Sequence, residues 1–108
     1  MSNDPHPNEE LFWELAKPHL KRPEVERSTM MGSPCLRSDG YFYATVHRKT
    51  KELIVKLPKE RVDELIEQGV GEEFKPAGKV FREWLAVSAL DESRWGELLE
   101  EARTFASS

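Results

Sequence analysis

The stretch YFYATVHRKTKELIVKLP, residues 41–58, decides the fold. Its first part alternates: Phe42, Ala44 and Val46 fall on one side, and Tyr41, Tyr43, Thr45 and His47 on the other. That period of two belongs to a strand. A short polar link from Arg48 to Lys51 follows, and then Leu53, Val55 and Leu57 alternate with Ile54 and Lys56. Two alternating runs joined by so short a link predict an antiparallel β-hairpin with one apolar face. Pro58 suits the first position of a helix, because its missing N–H costs nothing there.

Downstream of the hairpin, Val62, Leu65 and Ile66 mark the apolar stripe of a second helix, which Gly69 and Gly71 end. A short strand is expected over 73–75, a turn at Pro76-Ala77-Gly78, and a longer strand over 83–89. In that strand Leu85, Val87 and Ala89 share one face, with Trp84, Ala86 and Ser88 opposite. Asp91 is the expected N-cap of a last helix, with Leu90 and Trp95 at the spacing of a hydrophobic staple. Trp95, Leu98, Leu99, Ala102 and Ala106 recur at helical spacing and predict that this helix lies on the sheet.

Upstream, Ser38-Asp39-Gly40 is a turn signal. Residues 26–36 read as one short strand interrupted by Gly32-Ser33-Pro34, with Pro34 arguing for a sheet edge or a bulge. A first helix is expected over 8–19, its apolar face formed by Leu11, Phe12, Leu15 and Ala16. Pro18 is expected to end or kink it near Lys17. Residues 1–7 are expected to be a disordered lead-in, and residues 8–108 a single domain. The predicted class is α+β: a two-layer antiparallel sheet with helices, in the order α-β-β-β-α-β-β-α.

Bulk properties narrow the function. With 38% hydrophobic and 33% charged residues among 108, the chain has a thin core and a heavily charged surface. Its net charge of −4 counts against a dedicated duplex binder, since phosphate contacts dominate such affinity. One cysteine, Cys35, allows no internal disulfide and suits a reducing, cytoplasmic setting. The first residues carry no apolar signal-peptide core, and no apolar run is long enough to span a bilayer, so no membrane role is expected.

Few residues suggest chemistry. Cys35 would need a base and a lowered pKa to act as a nucleophile, and a packed thiol is the simpler reading. His6, His19, His47 and Cys35 lack the close spacing of a zinc site, so no metal and no cofactor are expected. Glu97, Glu100 and Glu101 read as the solvated side of the last helix. Two surface features stand out. Arg48, Lys49, Lys51, Lys56, Lys79 and Arg82 form a candidate partner or nucleic-acid surface around the first hairpin. Tyr41, Tyr43 and Trp84 form a candidate exposed aromatic face, unless the first helix wraps that side with Trp13 packed on it.

Several motifs in order resemble the TfoX N-terminal domain and YjbR-like (MmcQ/YjbR) proteins. Met30-Met31-Gly32-Ser33 resembles the family's Met-Phe-Gly-Gly signature, with Met31 in place of Phe and Ser33 in place of the second Gly. Asp39-Gly40, the aromatic strand from Tyr41, and Leu53-Ile54-Val55-Lys56-Leu57-Pro58 follow as in the family. Phe74-Lys75-Pro76 and Glu83-Trp84-Leu85-Ala86-Val87 are similar to the closing strands of YjbR-like members. The resemblance covers roughly residues 26–106. It implies the double-wing fold, no catalytic residues, and a DNA-binding label attached to some members.

The resulting expectation is a non-catalytic binding or regulatory module. Its partner would be a protein, a second copy of the chain or, against the net charge, nucleic acid. The alternative is a small-molecule-binding domain or an enzyme of unrecognised type.

Overall fold

A computed structural model describes residues 7–30 and 33–107. The elements are α1 (Pro7–Leu20), β1 (Val25–Met30), β2 (Ser33–Ser38), β3 (Tyr41–Val46), β4 (Leu53–Lys56), α2 (Lys59–Glu67), β5 (Glu72–Phe74), β6 (Phe81–Val87) and α3 (Glu92–Ala106). All strands pair antiparallel in one six-stranded sheet of order β1-β2-β3-β4-β6-β5. The α+β class and antiparallel sheet agree with the sequence reading.

The strand count differs from that reading. The run over 26–36 is not one interrupted strand but two, β1 and β2, paired with Met30 opposite Ser33 and Val25 opposite Ser38. Ser33 and Pro34 open β2, which lies between β1 and β3, so Pro34 is not on an edge strand; β1 is the edge. The signature residues Met31 and Gly32, and residues 1–6 of the expected lead-in, lie outside the described residues. Pro7, assigned to that lead-in, opens α1.

The core lies between one sheet face and the helices. Leu36, Ala44, Val46, Leu53, Val55, Leu57, Leu85 and Val87 meet Phe12 and Ala16 of α1, Val62 and Leu65 of α2, and Trp95, Leu98, Leu99 and Ala102 of α3. The inward faces of β4 and α3, and of β6 at Leu85 and Val87, are those the periodicity marks; β6 spans Phe81–Val87 rather than 83–89, and Ala89, expected on its inward face, lies past its end and is exposed. Cross-strand neighbours share a face, and the register seats Ala44 against Val55, and Val55 against Leu85. Asp91 caps α3, its carboxylate accepting from the Arg94 amide at 3.1 Å. Trp95 is buried and its indole donates to the Ala89 carbonyl at 2.9 Å, whereas Leu90 stays 53% exposed.

Helix α1 runs through Pro18 to Leu20, one residue past the expected end at His19. Pro18 withdraws one N–H from the ladder, and the buried His19 holds the last turn against β3. In β3, Tyr43 is not on an exposed face; it is fully buried in the core, while Phe42 is only half-buried. The cause is a bulge. Leu36 pairs with Ala44 and Arg37 with Phe42, so Tyr43 has no partner on β2 and its side chain turns under the helices.

Candidate binding cleft on the helix-free face

The opposite sheet face carries Cys35, Thr45, Ile54, Lys56, Trp84 and Ala86, since these alternate with core residues and pair across the strands. Among the described residues no helix packs on it. The alternative in which α1 wraps this side is not realised: α1 lies with α3, and Trp13 packs beside Phe12 under the Arg27 guanidinium, 4.2 Å from the ring centre. The helix-free face is not bare either. Cys35, Thr45, Ile54 and Ala86 are all buried.

A cleft of about 360 Å³ opens there. Ile54 of β4 and Phe74 and Pro76, at the end of β5 and in the 3₁₀ turn after it, supply apolar surface. Ser33 and Thr45 bring hydroxyls, and His47, Arg48 and Lys49 come from the β3–β4 connection. Beyond Phe74 the aromatic surface continues, with the Phe81 and Trp84 rings 6.0 and 6.5 Å away, and Lys56 lies 5.9 Å from the Trp84 ring.

The connection that presents the cations is held by its own polar groups. His47 Nδ1 accepts from the amides of Lys49 at 3.1 Å and Thr50 at 3.3 Å, and the Lys51 amide donates to the His47 carbonyl at 2.9 Å. With Nδ1 accepting, Nε2 is the ring atom left to donate. Lys51 has φ of 64° and turns away: its ammonium pairs with Glu9 of α1, and Asn8 donates to its carbonyl at 2.8 Å. Thr45 donates its hydroxyl to the Pro34 carbonyl at 2.6 Å.

The six cations proposed from the sequence do not form one patch. Arg48 and Lys49 reach the cleft. Lys51 serves as a tether to α1. Lys56 lies by Trp84, and Lys79 by Phe81 at 5.7 Å. Arg82 lines a separate depression with Asp63 and Glu67 of α2. Lys51, Lys56, Lys79 and Arg82 stand on different turns and strands, and the pairing of those strands leaves each beside a different neighbour. The aromatic trio separates likewise: Tyr41 is 64% exposed, Trp84 half-buried on the helix-free face, and Tyr43 fully buried. Phe74 and Pro76 were missed as cleft residues. Their only sequence signal is an aromatic beside a turn, and nothing local says that the turn faces Ile54.

Cys35 offers no nucleophile. It is fully buried, and that burial pushes the thiol pKa up while Arg37 opposes the shift. Among the described residues no cluster of His, Cys, Asp and Glu could hold a metal ion, and no helix is long and apolar enough to cross a membrane.

The protein is thus an α+β domain with a two-layer body and a cationic cleft on its helix-free face. No family model matches the chain, and no curated protein matches it significantly.

Proposed function

We propose that the protein is a non-catalytic binding module whose ligand is a nucleotide unit, either free or within a single strand. The observation that carries this reading is the cleft: apolar surface from Ile54, Phe74 and Pro76 adjoins Arg48, Lys49 and His47. A flat base suits the apolar part and a phosphate the cations. A duplex fits poorly, because its grooves admit protruding helices or ribbons rather than filling a recess. The resemblance to TfoX N-terminal and YjbR-like proteins supports a binding role and adds no catalytic residue.

Fluorescence anisotropy with labelled single-stranded and duplex oligonucleotides, with mononucleotides as competitors, tests the proposal. Single strands are expected to bind better than duplex, with a log–log salt slope of about −1.4, the value for two neutralised phosphates. Arg48→Glu with Lys49→Glu is expected to abolish binding. A mononucleotide that competes as well per site as a strand identifies the free nucleotide as the source. Absence of any binding at low salt refutes the proposal.

A further inference from the structure

The helix-free face carries a flat side chain one step beyond the cleft. Ile54, which lines the cleft, pairs with Ala86, and two residues further along each strand Lys56 pairs with Trp84. Residues two apart on a strand share a face and stand about 7 Å from each other. The Trp84 indole is therefore the next support after Ile54. Phe74, also of the cleft, spans the step: its ring lies 6.5 Å from that of Trp84 and is inclined to it by 57°. Rings so tilted are not stacked on one another. Trp84 is half-buried, held by its neighbours and still open to solvent. Lys56 Nζ lies 5.9 Å from its ring centre, at the outer limit of a cation–π contact.

The cations differ between the two layers. Among the described residues Arg48, Lys49 and Lys56 form no ion pair, whereas Lys17 of α1, Arg61 of α2, and Arg94 and Arg103 of α3 each hold a glutamate. Arg37, nearer the β1 edge, is paired with Glu26. The positive charge left open to an external anion thus includes the cleft and the Lys56 position beside Trp84. On the far side of Trp84 the next depression is lined by Asp63, Glu67 and Glu73 against Arg82. A phosphate is repelled there, so the favourable ground runs from the cleft to Trp84 and stops.

We propose that Trp84 is a second base-stacking position, so that the ligand is a single strand with one base in the cleft, the next on Trp84 and the phosphate joining them at Lys56. This rests on the reading of the cleft as a nucleotide site and decides between its two sources in favour of the strand. The step of about 7 Å is twice the spacing of about 3.4 Å between units of a stacked strand. Two bases seated here are splayed apart, each on its own support, as sheet surfaces that read single strands hold theirs. A duplex would have to unpair to supply them.

Three unlabelled ligands, each displacing a labelled single strand, test this: a mononucleotide, a trinucleotide, and a trinucleotide that keeps one base and has two abasic units. The complete trinucleotide is expected to bind at least about fivefold tighter than the mononucleotide. The abasic one, with the same phosphates, is expected to lose most of that gain. Trp84→Leu keeps apolar bulk without the flat indole and is expected to bring the complete trinucleotide down to the abasic one; Trp84→Phe is expected to restore most of the difference. Lys56→Glu is expected to weaken the trinucleotide at least about fivefold more than the mononucleotide. The abasic ligand and Lys56→Glu keep the test open even where Trp84→Leu fails to fold. Equal affinity for all three ligands overturns the proposal and leaves the cleft as a site for a free nucleotide. Equal binding of the complete and abasic trinucleotides overturns it too, as does a trinucleotide advantage that survives both Trp84→Leu and Lys56→Glu. Binding of none of the ligands at low salt removes the nucleotide reading itself, and this proposal with it.

Discussion

Tyr43 links β3 to α1 through a single polar contact inside the core. Its hydroxyl lies 2.9 Å from His19 Nδ1, and the ring stands near-parallel to the imidazole at 6.0 Å. Burial pushes the Tyr43 pKa upward, so the hydroxyl stays protonated and donates, and His19 Nδ1 accepts. Tyr43→Phe leaves that nitrogen buried without a donor and is expected to cost about 1–3 kcal/mol, read as a lower urea midpoint at unchanged slope. The same pair makes stability depend on pH. Burial, foremost, holds the His19 imidazole below its ordinary value of 6.5; Glu100, 3.8 Å from Nε2, opposes this, and Arg103 and Arg22 reinforce it. The unfolded chain therefore takes up the proton first as pH falls. The contribution is complete above 6.5 and is lost as acid carries the pH below that value. Urea melts at about pH 7.5 and pH 5 are expected to show this loss, and His19→Gln to show less of it. Cys35, fully buried, is expected to react with a thiol reagent only at the rate of unfolding. Rapid labelling of the native protein would contradict its placement.

Turns and caps fix the element boundaries, and there the sequence is a good guide. Asp39 and Gly40 have φ of 54° and 86°, the two positive values that a type I′ hairpin turn needs. Asp91 caps α3 as its position before the apolar stripe predicts; Asp91→Ala is expected to cost about 1 kcal/mol in a thermal melt. Gly69, with φ of 75°, ends α2 as expected, whereas Gly71, read as part of the same stop, stands before β5 and has another role. A Cβ there would stand 2.8 Å from the Ala86 carbonyl oxygen and from Leu85 carbons. Gly71→Ala is therefore expected to push β5 from β6 and cost about 1–3 kcal/mol, with amide exchange rising first in β5. Strand alternation failed at a single point. It holds through β4 and β6, but in β3 the bulge opposite Leu36 and Arg37 exchanges the environments of Phe42 and Tyr43. A period-two reading has no means of inserting an unpaired residue.

The molecule as a whole is two layers with opposed electrostatics: acidic helices on one side, and on the other a sheet face with Arg48 and Lys49 at its cleft. Arg61 of α2 donates to the Glu101 carboxylate of α3 at 2.8 and 3.0 Å, but its side chain is 31% exposed and Glu101 38%, so solvent screens the pair. Arg61→Ala is expected to cost less than about 1 kcal/mol in urea.

The class, the apolar faces of β4, β6 and α3, the Asp91 cap and the Asp39-Gly40 turn could all be read along the chain, because each follows from neighbours within a few residues and from local geometry. The β1–β2 reversal, the burial of Tyr43, the dispersal of the hairpin cations, and the meeting of Ile54 with Phe74 and Pro76 depend on packing between segments distant in sequence. A bulge and the pairing of distant strands choose those contacts, and no periodicity records where such a choice falls.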